Sequence, residues 1–182
     1  MLQGESIRLR HEEEADLEEL YRRGLEPVGP YFPFVVSSET TRREAWEKDG
    51  RWGSHDGQML IVDDQGQVVG AVMFERVVGD VDEINIGYYL YPEYRGRGYA
   101  SEALGLFARY LFATRSDMNR ARLDIHPDNT GSIRVAERCG FTLEGRIREG
   151  WFNRGTWQDT LVYGLLRREL DSTDGASRPD QP

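Results

Sequence analysis

The sequence predicts one mixed α/β domain. Two observations carry that expectation. Short runs with two-residue alternation or continuous aliphatic character are interleaved with runs whose apolar residues recur at three- and four-residue spacing. No repeat, linker or composition shift divides the 182 residues. Residues 6–10, SIRLR, alternate as a first strand. Residues 12–25 follow as a helix, with Glu12, Glu13 and Glu14 in the first turn and Leu17, Leu20, Tyr21 and Leu25 on one face. Residues 26–38, EPVGPYFPFVVSS, carry three prolines and three aromatics and form an irregular segment, either a packed loop or a pocket wall. A short helix is expected near 39–48. Residues 59–62 and 68–74 flank the polar turn Asp63-Asp64-Gln65-Gly66 as a hairpin.

Residues 84–91 are a fourth strand. Residues 98–114 are a helix with Ala100, Ala103, Leu104, Phe107 and Leu111 on one face. A short strand at 122–125 precedes a helix at 129–138, ended by Gly140. Strands at 141–148 and 156–166 complete the domain. The tail 171–182, DSTDGASRPDQP, has nothing to bury and is expected to be disordered, leaving 1–170 as the folded unit.

Hydrophobic residues make up 38% and charged residues 30%, the balance of a soluble globular chain. No apolar run approaches the ~20 residues of a membrane span, and the first residues lack the apolar core of a secretory signal. Cys139 is the only cysteine, which excludes an internal disulfide and suits a reducing, cytoplasmic setting. It is either a buried structural thiol or a nucleophile. A net charge of −9 argues against nucleic-acid partners and suits a cationic substrate. His11 and His55 have no metal-ligand spacing, and no metal is expected. His126, before Pro127, reads as a loop histidine.

The chemistry concentrates at residues 94–101, YRGRGYAS, where a strand turns into a helix through two glycines. The first N–H groups of a helix lack intrahelical partners and sit at the positive end of its dipole, so phosphate binds there. Gly96 and Gly98 let a ligand approach the backbone, and Arg95 and Arg97 add charged donors. A plain glycine turn with exposed arginines remains the alternative. A P-loop is excluded because Tyr99 and Ala100 stand where Lys and Ser/Thr belong, and the dinucleotide fingerprint fails at Ser101.

Residues 94–100 resemble the Gln/Arg-x-x-Gly-x-Gly/Ala motif of the GNAT superfamily of N-acetyltransferases. Asn129-Thr130-Gly131-Ser132 and Glu137-Arg138-Cys139-Gly140-Phe141 resemble its second cofactor element. The ending, Leu143-Glu144-Gly145 through Trp157-Gln158-Asp159 and Tyr163, is similar to the RimJ/RimL-like branch. The resemblance implies a central mixed, mostly antiparallel sheet of about seven strands with about four helices, splayed between the fourth and fifth strands. It also implies acetyl-CoA in the gap. The backbone of Tyr88, Tyr89 and Leu90 then pairs with the pantetheine, and Arg95, Gly96, Arg97, Gly98, Tyr99, Ala100 and Ser101 hold the pyrophosphate. Asn129 contacts the pantetheine or thioester region, alongside a helix N-cap role that uses different atoms.

The implied reaction is direct attack of a primary amine on the acetyl carbonyl in a ternary complex. The tyrosine that protonates the leaving thiolate in many relatives is replaced by Ala136, and Ser132 matches the serine that serves instead in the RimL pattern. The branch's glutamate position is Trp151 here, so Glu83 and Glu149 are the candidate bases. Asp159, Tyr31 and Trp151 are candidates for holding the acceptor. Tyr31, Phe32, Phe34, Trp46, Trp52, Trp151, Phe152 and Trp157 either wall a compact pocket or pack the core. The acceptor is a small amine (an amino sugar, antibiotic or polyamine) or a protein N-terminus. A non-catalytic CoA-binding sensor is the competing function. The oligomeric state, a homodimer included, is open.

Overall fold

The computed structural model describes residues 1–24, 28–32, 38–77 and 83–170. Leu25, Phe34, most of the irregular segment and the expected disordered tail lie outside them. The described residues form eight strands: β1 (Leu2–Gln3), β2 (Ile7–Arg10), β3 (Asp56–Asp63), β4 (Val68–Arg76), β5 (Glu83–Leu90), β6 (Arg120–Ile125), β7 (Thr142–Asn153) and β8 (Thr156–Leu166). The helices are α1 (Leu17–Gly24), α2 (Glu39–Asp49), α3 (Tyr99–Thr114), α4 (Thr130–Arg138) and a single turn, α5 (Arg167–Leu170). The extra strand is β1, whose two residues are too short to show alternation. The extra helix is one turn.

The sheet order is β1-β2-β3-β4-β5-β6-β8-β7, antiparallel throughout except between β5 and β6. α3 is the crossover that a parallel pair requires. It lays Leu104, Phe107, Ala108 and Leu111 against Ile7, Met59, Val72 and Phe74 of one sheet face. The other face buries Leu20 of α1 with Leu60, Val62 and Ala71. Cover on both faces explains why residues 59–62 are aliphatic without alternation. Each fully buried Leu or Phe contributes about 2 kcal/mol.

The first helix starts at Leu17, after a 3-10 turn at Glu14–Asp16, and not at Glu12. The Asp16 carboxylate accepts from the Glu13 N–H at 2.8 Å and from the Arg10 guanidinium at 2.6 and 2.7 Å, pinning the chain ahead of the helix. Glu12 is thereby turned inward, where Gln58 Nε2 donates to it at 2.5 Å.

The β5–β6 ladder is short. Glu83, Ile84 and Asn85 pair with Arg120, Ala121 and Arg122, and there the strands part. Residues 86–90 keep only β4, and Leu123, Asp124 and Ile125 keep only β8. This is the expected splay, one strand later in the count because of β1. It opens into a cleft of about 1360 Å3.

Candidate active site

At the open end of the splay, the chain leaves β5, makes a 3-10 turn at Pro92–Tyr94, and enters α3 through Gly96 (φ 77°) and Gly98 (φ 86°). These left-handed conformations favour glycine. A Cβ built on either glycine meets no atom within 4 Å, so the space above this backbone is free for a ligand. Among the described residues, no backbone carbonyl accepts from the N–H groups of residues 96–100. Glu102, the acid of the first turn, is turned away to accept from the Ser6 N–H at 3.0 Å. Donors, helix dipole and open space fit a pyrophosphate.

The two arginines of the turn are engaged elsewhere. Arg95 donates to the Leu90 carbonyl at 3.0 and 3.2 Å and to the Val28 carbonyl. Arg97 lies over the Tyr94 ring at 5.5 Å and donates to the Glu93 carbonyl at 3.2 Å. Arg95, Gly96, Gly98, Ala100 and Ser101 line the cleft, as do Tyr88, Tyr89 and Leu90. Arg97 and Tyr99 do not; the Tyr99 ring is buried in the core. Arg134 and Arg138 of α4 also line the cleft, a pair the sequence reading missed. Their four-residue spacing on one helix face was the available signal.

Asn129 is the N-cap of α4, its Oδ1 accepting from the Ser132 N–H at 3.2 Å. Asn129 and Ser132 both line the cleft. Tyr88 Oη donates to the Ser132 carbonyl at 3.4 Å, and burial pushes the Tyr88 phenol up to about 12. Asn129→Ala is expected to cost about 1 kcal/mol of stability through the lost cap. Acetyl-CoA affinity, measured by calorimetry on the folded fraction, should fall with it. Unchanged affinity would leave Asn129 as a cap only.

Cys139 donates to the Ser101 carbonyl at 3.2 Å, and burial raises its thiol to about 11. That makes it the structural thiol and not a nucleophile.

The three candidate carboxylates fall outside the cleft lining. Glu83 is 8% exposed and is held by Arg120 Nε at 2.5 Å and Arg122 Nη1 at 3.5 Å. Glu149 sits at a bulge in β7 with φ 51°, its N–H donating to Asp159 Oδ1 at 2.9 Å. Asp159 also accepts from Arg146 at 2.6 Å, and Glu149 and Asp159 flank a separate depression with Arg148.

The carboxylate at the splay is Asp124. Its Oδ2 accepts from Asn85 Nδ2 at 3.3 Å and its Oδ1 from Arg122 Nε at 2.9 Å. Just past the end of β6, His126 Nδ1 accepts from the Asp128 N–H at 3.1 Å, and its ring stacks on Tyr31 at 4.8 Å. That hydrogen bond leaves the proton of the neutral ring on Nε2. Tyr31 belongs to a strap, residues 28–32, tied down by Arg95 at Val28, by Arg154 to the Gly29 carbonyl at 3.3 Å and by Asn153 to the Pro30 carbonyl at 3.0 Å.

Of the candidate wall residues, Tyr31, Phe32 and Trp151 line the cleft, and Trp46, Trp52, Phe152 and Trp157 do not. Trp52 packs among His11, Phe74, Phe107 and Tyr110. Trp46 donates to the Glu12 carbonyl at 3.3 Å. Phe152 and Trp157 pair with each other on the surface. Among the described residues no cluster of His, Cys, Asp and Glu could hold a metal, and no helix is long and apolar enough to cross a membrane.

A parallel pair split by a cleft, with an anion-binding turn at its mouth, defines a CoA-dependent acyltransferase fold. Residues 6–142 match the acetyltransferase (GNAT) domain model, so the chain belongs to this family of acetyl-CoA-dependent N-acetyltransferases, on its RimJ/RimL-like side. It is 33% identical over 128 residues to the probable N-acetyltransferase YjcK of Bacillus subtilis, covering 70% of this chain and 68% of that one. It is 28% identical over 136 residues to the ribosomal-protein-serine acetyltransferase of Escherichia coli, covering 73% and 74%. Across the curated relatives the matched stretch spans from 61% to 93% of the relative's length. A GNAT-family acetyltransferase structure from Bacillus anthracis superimposes with a TM-score of 0.77 at 26% identity, covering 92% of this chain and 99% of that one.

Proposed function

We propose that the chain transfers the acetyl group of acetyl-CoA to the primary amine of a small molecule. The observation that carries this reading is the gap between β5 and β6, with unpaired N–H groups beyond its open end and Asp124 near its apex. Bound acetyl-CoA supplies an activated thioester that a free amine attacks directly. Residues 86–90 offer one unpaired strand edge to the pantetheine amides. The Leu90 carbonyl is not part of that edge, because Arg95 occupies it. An N–H of the same edge is the donor for the developing oxyanion. The Ser132 hydroxyl, in the first turn of α4, donates to the leaving thiolate.

Asp124 holds the acceptor's ammonium and takes its proton directly or through water. Asp124→Asn is expected to lower kcat/KM for the amine by about 100-fold near neutral pH, with acetyl-CoA affinity unchanged. The defect should shrink above the acceptor's own pKa, where free amine is abundant. A pH-independent defect would remove the base role. A small acceptor is favoured because the strap and its Tyr31–His126 stack narrow the acceptor side. A protein N-terminus is the second reading, on the strength of the Escherichia coli relative's ribosomal-protein acceptor.

We also propose a homodimer through β7, the edge strand. Residues 142–150 are exposed on both faces, and Leu143, Ile147, Phe152 and Trp157 are 52%, 44%, 55% and 63% exposed. A long exposed apolar edge strand is an aggregation hazard unless it is covered. Light scattering should give twice the chain mass, and Ile147→Lys should return it to one.

A further inference from the structure

On the sheet face covered by α1 and α2, Gln58 of β3, Met73 of β4 and Gly87 of β5 are direct neighbours in register. Glu12 extends that row beyond Gln58 through its 2.5 Å hydrogen bond. Glu12 is 5% exposed, and its second carboxylate oxygen has no hydrogen-bond partner. Arg51 enters from the turn ahead of β3, where its carbonyl accepts from the Gln58 N–H at 2.9 Å. Arg51 and Gln58 both line the cleft.

The Arg51 side chain is half-buried and makes no hydrogen bond, ion pair or ring contact with a described residue. The same holds for Arg42 of α2. Both charges act on the same two groups, the Glu12 carboxylate and the Tyr89 hydroxyl, so they surround one spot. Among the described residues, Glu12 is the carboxylate on which both guanidiniums act, and neither is paired with it. Were they merely structural partners of Glu12, they would close on it, as Arg10 closes on Asp16 at 2.6 Å and Arg120 on Glu83 at 2.5 Å. Arg51, half-buried on the cleft wall with Arg42 behind it and no described side-chain partner, is suited to a carboxylate or phosphate.

We propose that the acceptor carries an anionic group, bound by Arg51 with Arg42 in support, at the end of the acceptor side remote from the thioester. The inference rests on the acetyltransferase reading above. Gln58 lies two strand spacings, about 10 Å, from Gly87 on β5, so the Arg51 end of the cleft is at least that far from an amine held at Asp124 across the splay. The substrate is an amino carboxylate or amino phosphate of that length, bound as a zwitterion.

The test is CoA release with four acceptors on the same octane chain: the ω-amino acid, the ω-aminoalkyl phosphate, the monoamine and the diamine. The wild type should favour an anionic acceptor over the monoamine by at least about tenfold in kcat/KM, the worth of one charge-assisted contact. The better of the two anions identifies the source. Arg51→Gln should bring the anionic acceptor to the monoamine's level through KM, and Arg51→Glu should turn the preference to the diamine. A wild type that prefers the diamine or shows no preference overturns the proposal. So does an Arg51→Gln loss equal across all four acceptors. If the wild type binds acetyl-CoA but acetylates none of the four, the parent reading for a small amine fails, and this inference with it.

Discussion

Replacing Gly98 with valine is expected to abolish acetyl-CoA binding. Gly98 caps α3 in the left-handed region, and the space its Cβ would enter is empty of protein and faces the unpaired N–H groups of the turn. Two effects then act together. A branched side chain fills the phosphate position, and φ 86° strains any residue other than glycine by about 1–2 kcal/mol. Saturating acetyl-CoA at a hundred times its dissociation constant should stabilise the wild type by about 2.7 kcal/mol. Gly98→Val should lose that ligand-induced rise in melting temperature entirely. Gly66→Val is the control: with φ 82° in the β3–β4 turn, it carries similar strain away from the cleft. It should melt earlier yet keep the full acetyl-CoA response. Equal responses from both variants would remove the turn from cofactor binding.

Glu83→Gln is expected to destabilise the fold by about 3 kcal/mol, a fall of about 6–12 °C in melting temperature for a domain of this size. Glu83 joins β5 to β6 at the first rung of the short ladder that ends in the splay, and Arg120 continues the network to Glu144 on β7. Glutamine keeps the shape but removes the buried carboxylate between two half-buried guanidiniums, leaving Arg120 with Glu144 alone and Arg122 with Asp124 alone. Assayed below its melting point, the variant should keep kcat within about twofold, because the carboxylate faces its arginines and not the cleft. A large kcat loss confined to neutral pH, with little loss of stability, would reinstate Glu83 as the base.

The contrast between these two positions marks what the sequence could disclose. Gly96 and Gly98 were legible because positive φ admits few residue types, so the conformation is written into the residue identity. Asn129 and Ser132 were legible as a cap by the same local logic. Asp124 and His126 were not, because their importance depends on where the β5–β6 ladder stops, a tertiary outcome invisible in LDIHP. Glu149 and Asp159 were misleading because a bulge in β7 sets five residues, Ile147 to Trp151, against three on β8, Gln158 to Thr160. That displaces Glu149 from the alternation while leaving Ile147, Gly150 and Trp151 on the cleft. The aromatic residues could not be sorted into wall and core from sequence, since Trp52 and Trp151 differ only in what packs around them. Arg51 carries no sequence signal at all; its interest lies in a side chain that pairs with none of the described residues.

The most direct test is a turnover assay: free CoA thiol released from acetyl-CoA by the purified chain, with and without a panel of primary amines. Amine-dependent release, with mass spectrometry showing one acetyl group gained by the acceptor, is the predicted result. Tight acetyl-CoA binding with no amine-dependent release, for small amines and N-terminal peptides alike, would contradict it. The chain would then be a CoA-binding accessory domain on an acetyltransferase fold.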